Sequence, residues 1–253
     1  SLIEQENKTL ASLRDWLLPM LMNGQVTVNE IETESHDQTV FSIEAEPEIE
    51  YYIPAQLNIP QNIKPFAKQV LAGKIVSLFK DDPHFTHIKF QKIQFLAEHI
   101  SQADLNLNYY FQAAGPYDNT FMHSIANKLK KSKWFEEKDL RFIPLEKCEK
   151  IDDYYKGYFN QVANRLDRLY ALLQNATVAT SEIIATLYAV WNNRIIKKQA
   201  ITDDILIEDF YNWSDRKLQY PKEEVINGLA ILRTNGFDPV GFGKEMKRAK
   251  AKK

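Results

Sequence analysis

The sequence has few of the residues on which several common kinds of site depend. Among 253 residues there is one cysteine, Cys148, which excludes an internal disulfide and zinc binding by a cysteine cluster. Only eight residues are glycine, and no glycine-rich phosphate loop is formed. No apolar run approaches the roughly 18–20 residues of a membrane helix. We therefore expect a cytoplasmic protein without a signal peptide or a membrane partner.

Basic residues are also missing from a long stretch, since no Lys or Arg occurs between Arg14 and Lys64. Residues 1–63 hold two basic and eleven acidic residues, a net charge of −9, and residues 64–253 hold 30 basic and 23 acidic residues, a net charge of +7. Such asymmetry is typical either of interaction surfaces or of a solvated acidic linker beside a mildly basic domain.

The pattern along the chain predicts a mainly α fold with at most a small β element. The acidic stretch has eight acidic residues and three prolines, which disfavour an independent core. We predict a terminal amphipathic, coiled-coil-type helix at residues 1–28, an acidic linker at 29–62, the two halves of a helical accessory domain at 64–150 and 151–243, and a basic, frayed tail at 244–253.

Helical spacing of apolar residues and capping residues predict the elements of the accessory domain. A small sheet is expected near residues 105–115 and 138–145. The predicted helices are Lys64–Lys80, Thr86–His99, a helix from Asp118 or Asn119 to Lys131, Ile151–Gln174, Ser181–Lys198, Thr202–Asn212 and Pro221–Asn235. Asn62 is the predicted cap of the first of these helices, Thr180 or Ser181 the cap of Ser181–Lys198, and Thr202 the cap of Thr202–Asn212.

The first helix has an apolar face that requires a partner. Leu10, Leu13, Leu17 and Leu21 fall on one face at helical spacing, with Trp16 and Met20 alongside. Pro19 removes one backbone donor near the end of the helix, and Gly24 is suited to a helix C-cap. Without a partner helix, a face of this size favours either folding back onto the rest of the chain or self-association of the isolated fragment.

The run LASLRDWLLPMLMNGQVTV, Leu10 to Val28, resembles the C-terminal end of the specificity subunit of type I restriction–modification enzymes. The resemblance implies a helix of an antiparallel coiled coil that spaces two DNA-reading domains and helps to dock the methylation subunits. The chain is then expected to be the non-catalytic tail of a larger polypeptide, with methylation and restriction subunits as partners and DNA bound through the complete subunit. The implied subunit interface is Leu10, Leu13, Trp16, Leu17, Met20 and Leu21.

A second resemblance covers about residues 65–135. Lys89, Gln91 and Lys92 form a K-x-Q-K pattern on a predicted helix, and an aromatic stretch at Tyr109-Tyr110-Phe111 precedes the turn Gly115-Pro116-Tyr117. These features are similar to the Panacea domain, a helical domain of antitoxins and protease adaptors. The resemblance implies the alternative function, a protein-binding adaptor or antitoxin module without chemistry of its own.

Two groups of cations are candidates for contact with DNA phosphates. Lysines and arginines neutralise phosphate charge without reading sequence, but cations near helix C-termini also complement the helix dipole. The first group precedes Trp134, which we expect to be exposed. The candidate residues are Lys128, Lys130, Lys131 and Lys133 in the first group, and Arg194, Lys197 and Lys198 in the second.

Enzymatic chemistry has weak support in the sequence. A third interpretation, a metal-dependent nuclease accessory, depends on the pairs Asp81-Asp82 and Glu136-Glu137, which no strand context unites. A metal site from His84, His87 and His99 lacks supporting ligands at suitable spacing. We therefore predict no catalytic residue, no metal ligand and no cofactor.

Overall fold

The computed structural model describes residues 57–174 and 176–248, so the predicted terminal helix and most of the acidic linker lie outside it. The chain divides into two compact units, residues 1–49 and residues 50–253, and every described residue belongs to the second. This unit is mainly helical, as the sequence predicted. Its helices are α1 Lys64–Phe79, α2 His87–Ile100, α3 Asn119–Lys131, α4 Lys150–Phe159, α5 Ala163–Leu173, α6 Val178–Ile196, α7 Asp203–Tyr211 and α8 Lys222–Thr234.

Side-chain caps determine where four of these helices begin. The side chains of Thr86, Asp118, Thr177 and Thr202 each accept a hydrogen bond from the backbone N–H three residues later, which satisfies one of the donors left unpaired in a first turn. Thr202 was predicted as a cap, whereas Thr86 and Asp118 were predicted only as residues near which helices begin. The predicted start of α6 is wrong, because Thr177 caps the helix and not Thr180 or Ser181.

The predicted long helix over Ile151–Gln174 is broken, which corrects the sequence prediction. A short 3₁₀ helix, Asn160–Val162, separates α4 from α5. The break has a packing reason, because α4 lies against α1 whereas α5 lies against α2. The cap at Asn62 is also wrong, since Ile63 occupies that position without a side-chain hydrogen bond, and Pro65 lies in the first turn of the helix.

Short strands form two small sheets. In the first, β1 (Tyr110–Gln112) pairs antiparallel with β2 (Gly115–Tyr117), with Phe111 opposite Pro116, and pairs in parallel with β5 (Lys247–Arg248) on its other side. In the second, β3 (Phe135–Lys138) pairs antiparallel with β4 (Arg141–Pro144). The predicted β regions are therefore confirmed in outline. The prediction of a frayed tail is wrong for residues 244–248, because Lys247 and Arg248 pair with β1, and residues 249–253 lie outside the described part of the chain.

One hydrophobic core runs through the described residues, with α2 at its centre and α1, α5, α6 and β2 around it. Leu57 and Ile59 belong to this core, so the predicted linker extends too far toward α1. Trp134 is also buried, at 2% exposure, and its ring packs against the rings of Phe66 and Tyr154. The expectation that Trp134 is exposed is wrong. No helix among the described residues has the length and apolar character needed to span a membrane.

The cap of α3 supports both the helix and the loop before β1. The two carboxylate oxygens of buried Asp118 accept hydrogen bonds from the backbone N–H groups of Phe121 at 2.9 Å and Asn108 at 2.8 Å. Replacement by alanine leaves both donors without this partner. We expect Asp118→Ala to lower the free energy of unfolding by about 2 kcal/mol in urea denaturation.

The neighbouring exposed residue provides the matched control, and Asn119→Ala is expected to change stability by less than about 0.5 kcal/mol. Asp118→Asn keeps one carbonyl acceptor and should fall between the two. Equal stability of the Asp118→Ala and Asn119→Ala proteins would contradict the assigned role of this carboxylate.

Candidate functional site

Helix α2 carries polar side chains through a segment that is buried on every side. Each residue from Lys89 to Ile100 is buried. A buried charge is costly unless it is paired or hydrogen-bonded, so each ionisable group here must be satisfied by the elements packed around α2. The polar residues of this segment are Lys89, Gln91, Lys92, Gln94, Glu98 and His99.

Lys92 connects α2 to β2, because the predicted Gly115-Pro116-Tyr117 turn forms this strand in the structure. Its Nζ donates a hydrogen bond to the carbonyl oxygen of Pro116 at 2.6 Å and lies 5.7 Å from the centre of the Tyr117 ring. Burial, with a further contribution from the positive charge of Lys217, lowers the pKa of Lys92 to about 7. The K-x-Q-K helix and the G-P-Y turn, which are 23 residues apart from Lys92 to Gly115, therefore meet in the fold.

Gly115 is required at this junction for two reasons. Its φ of +96° is a conformation that residues with a side chain rarely adopt. A Cβ at this position would also lie 2.6 Å from Oγ1 of Thr186 on α6. The turn is held from outside as well, since Trp213 Nε1 donates to the carbonyl of Gln112 at 2.7 Å and the Trp213 ring stacks on Phe111.

Lys89 makes a second buried connection from α2. Its Nζ donates to the carboxylate of Asp82 at 2.5 Å and to the carbonyl of Ala176 at 2.6 Å, and both charged side chains are almost fully buried. The contact joins the segment before α2 to the segment before α6. Truncation of one partner of such a pair leaves the other charge buried and uncompensated.

A third buried pair joins Lys217 to Glu182 of α6. Nζ of Lys217 is 2.7 Å from the carboxylate of Glu182, and both side chains are fully buried. Arg216 approaches the same carboxylate at 3.3 Å. Burial opposes ionisation of Glu182, but these two cations outweigh it and lower its pKa. An open groove beside the pair is lined by Val178, Ala179, Arg216, Gln219, Tyr220 and Pro221.

His99 and Glu98 occupy the C-terminal end of α2. Nδ1 of His99 lies 3.0 Å from the carbonyl oxygen of Phe95, and burial lowers the pKa of His99 to about 4, so the ring is neutral at physiological pH and Nδ1 is the donor. The rings of Phe95, Tyr109, Tyr188 and Phe242 surround it. This environment is aromatic, and among the described residues no three His, Cys, Asp or Glu side chains are arranged to hold a metal ion.

The predicted phosphate contacts lie on separate elements, since α3 packs against α1 and β3 while α6 packs against α7. Four of these seven cations are ion-paired: Lys130 with Glu136, Lys133 with Glu146, Arg194 with Asp209, and Lys197 with Glu245. Within residues 57–174 and 176–248, Lys128, Lys131 and Lys198 have no ion pair. The six predicted subunit-interface residues, Leu10 to Leu21, lie outside the described residues.

Sequence reasoning missed the feature that most distinguishes α6. Asn192 and Asn193 are consecutive, buried and near the end of an apolar helix, where asparagine is a poor helix former. Each side-chain amide is paired with backbone of the C-terminal segment. The signal available in the sequence was the placement of two amides within an otherwise apolar stretch, YAVWNNRII.

Comparison of the chain with protein-family models, with curated proteins and with solved structures finds no match in any of the three.

Glu98 gives a pH-dependent test of this buried arrangement. The backbone N–H of Leu105 donates to its carboxyl at 2.9 Å, and burial raises the pKa of Glu98 from 4.5 to about 8. Between these two values the folded state retains a proton that the unfolded state releases. The carboxyl group therefore costs stability increasingly as pH rises from 4.5 to 8.

We expect Glu98→Gln to gain stability relative to the wild type as pH increases across this window, by up to about 1.4 kcal/mol per pH unit. Chemical denaturation at pH 5, 6.5 and 8 measures the difference. Glu149→Gln, at an exposed position, is the control and should show no such trend. A difference between Glu98→Gln and wild type that is constant with pH would contradict the assignment.

Proposed function

We propose that the chain is a non-catalytic assembly region of a type I restriction–modification specificity subunit whose residues 57–248 form a protein-binding accessory domain. Two separate lines support this proposal. The resemblance of the sequence Leu10–Val28 to the end of the specificity subunit supports docking to the methylation subunit. The restriction subunit is the expected further partner. The contact between Lys92 and Pro116 supports a Panacea-like accessory domain.

The contact between Lys92 and Pro116 is the observation that carries the proposal for the accessory domain. The K-x-Q-K and G-P-Y patterns are short and occur readily by chance in a sequence. Contact between the two patterns in the fold is therefore more informative than either pattern alone. Here the lysine of one donates to the proline carbonyl of the other at 2.6 Å, and the glycine fills a space that admits no Cβ. The two patterns therefore act as parts of one structural unit, as the resemblance to an adaptor domain implies.

Electrostatics favour a protein partner over DNA for this domain. Four of the seven predicted phosphate contacts have a carboxylate partner, which reduces the net positive charge available to a phosphate. The buried ionisable groups are likewise committed to contacts within the fold, including Lys89 with Asp82 and Lys217 with Glu182. The proposal accordingly assigns no reaction to this domain.

The alternative role is a Panacea-like adaptor or antitoxin domain that acts independently of the restriction–modification complex. The same contact between Lys92 and Pro116 favours it. The two roles differ in the partner, because only the first requires the methylation subunit. The basic groups also predict an auxiliary contact to DNA phosphate. Such a contact would give DNA binding that weakens steeply as the salt concentration rises.

Co-migration of the full chain with the cognate methylation subunit on a sizing column tests the proposal. We expect a complex that forms without DNA and at both low and high salt. Leu17→Asp is expected to abolish it, because burial of a leucine at such a seam contributes about 1.5–3 kcal/mol and a buried carboxylate adds a further cost.

Ser12→Asp is the matched control, since helical spacing places Ser12 opposite the leucine face, and it should preserve co-migration. An intact complex with Leu17→Asp would contradict the assembly role. Absence of any complex, together with salt-sensitive binding of duplex DNA by the chain alone, would favour the phosphate-contact interpretation instead.

A further inference from the structure

The last described segment of the chain lies against the domain like a bound peptide. After α8 ends, residues 237–248, here called the C-terminal strap, contain no helix and finish as β5. The strap begins with the fully buried Phe237 and ends beside β1. Its contacts differ in kind from those of the helices, because polar groups of the domain recognise its main chain.

Two asparagine side chains hold the strap by its backbone. Asn192 donates through Nδ2 to the carbonyl of Phe242 at 2.8 Å and accepts through Oδ1 from the Phe242 N–H at 3.0 Å. Asn193 makes the same pair of hydrogen bonds with Met246, at 3.1 and 2.9 Å. Each amide thus satisfies both polar groups of one peptide residue, as a neighbouring strand would do, whatever side chain that residue carries.

Strand pairing extends this backbone recognition beyond the asparagines. Lys247 and Arg248 pair in parallel with Tyr110 and Phe111 of β1, so the strap adds a third strand to the hairpin. Addition of an extended segment to a sheet edge is a common mode of peptide recognition, in which main-chain hydrogen bonds supply affinity and side-chain pockets supply specificity.

Side-chain contacts give the groove its selectivity. Met246 is buried to 7% exposure, and the ring of Phe242 meets the ring of His99 edge-on with centres 5.6 Å apart. Gly241, at φ +75°, would place a Cβ 2.8 Å from Ile195, and Gly243 has φ +82°. The bound conformation therefore favours glycine, an aromatic residue and glycine in succession, followed three positions later by an apolar side chain. Contact with Ile195 excludes a Cβ at the first glycine, and the positive φ disfavours one at the second.

We propose that this groove, formed by His99 of α2, Asn192 and Asn193 of α6 and the edge of β1, is a binding site for an extended segment of a partner protein, and that the strap is its intramolecular occupant. The inference rests on the proposed protein-binding function and specifies the chemistry of the partner. The partner segment carries the pattern Gly–aromatic–Gly with an apolar residue three positions after the second glycine.

Tethering determines when the groove is open. A tethered occupant has an effective concentration on the order of millimolar, so a free peptide at micromolar concentration competes poorly with the strap. Weakening the strap removes this competition and leaves the groove intact. Met246→Asp does so, because it places a carboxylate in a buried apolar position while leaving every residue of the groove unchanged.

Fluorescence anisotropy with a labelled peptide of residues 237–248 tests the proposal on the full chain. We expect Met246→Asp to bind this peptide at least tenfold more tightly than wild type. Asn193→Ala combined with Met246→Asp should lose at least tenfold of that affinity. Lys244→Gln, at an exposed strap position, is the control and should bind as wild type does.

Equal peptide affinity of the Met246→Asp and wild-type chains would overturn the proposal. A second measurement applies if Met246→Asp fails to fold: the peptide with a photo-crosslinker in place of Phe242 is added in excess to the wild-type chain. Crosslinks at residues 95–99 or 188–196 support the groove, and crosslinks confined to other regions overturn it. Co-migration with the methylation subunit, measured on the same variants, reports separately on the proposed function.

Discussion

The hydrogen bond from Lys92 to the carbonyl of Pro116 is the constraint on which the arrangement around α2 depends. A helix that is buried on every side normally carries apolar residues all round. Here α2 brings ionisable groups into the core, and each must find a partner there. Lys89 donates hydrogen bonds to the Asp82 carboxylate and the Ala176 carbonyl. Lys92 donates to the carbonyl of Pro116, and Glu98 accepts from the N–H of Leu105. Asp82, Leu105 and Ala176 lie in loops and Pro116 lies in β2, so the buried polar groups of α2 position both loops and the β1–β2 hairpin.

This commitment of charge supports the protein-binding role that we propose for the domain. Catalytic groups need perturbed pKa values in a cleft that substrate can enter. Three groups with perturbed pKa values, Lys92, Glu98 and His99, are buried against the backbone and aromatic rings of the domain itself. The asparagines of α6 bind the C-terminal strap in a similar way, because their side-chain amides also form hydrogen bonds with main-chain groups.

The sequence predicted the features that depend on local periodicity and local capping. The mainly α class, the positions of most helices, the helix starts near Thr86 and Asp118 and the cap at Thr202 are of this kind. The break at Asn160–Val162 was not predictable, because each side of it has a regular apolar stripe and the reason for the break lies in the separate partners of α4 and α5.

The candidate site was predictable only in part. The patterns around Lys92 and Gly115 were recognised as related, but charged residues on a helix ordinarily indicate a solvent-exposed face, so their burial was not anticipated. Pairs such as Glu182 with Lys217 join residues 35 positions apart, and no spacing rule connects them. Trp134 looked exposed because four lysines precede it, whereas packing against Phe66 and Tyr154 decides its position.

Hydrogen exchange of the amide groups of residues 110–117 in Lys92→Met tests the central claim most directly. Methionine preserves most of the side-chain volume but removes the donor to Pro116. At a pH below the Lys92 pKa of about 7, where the ammonium is charged, the account predicts at least tenfold faster exchange in the β1–β2 hairpin, consistent with the loss of about 1.5–3 kcal/mol from a charged hydrogen bond. Lys131→Met, an exposed change on α3, should leave the hairpin protected as in wild type. Unchanged protection of the hairpin in Lys92→Met would contradict the account.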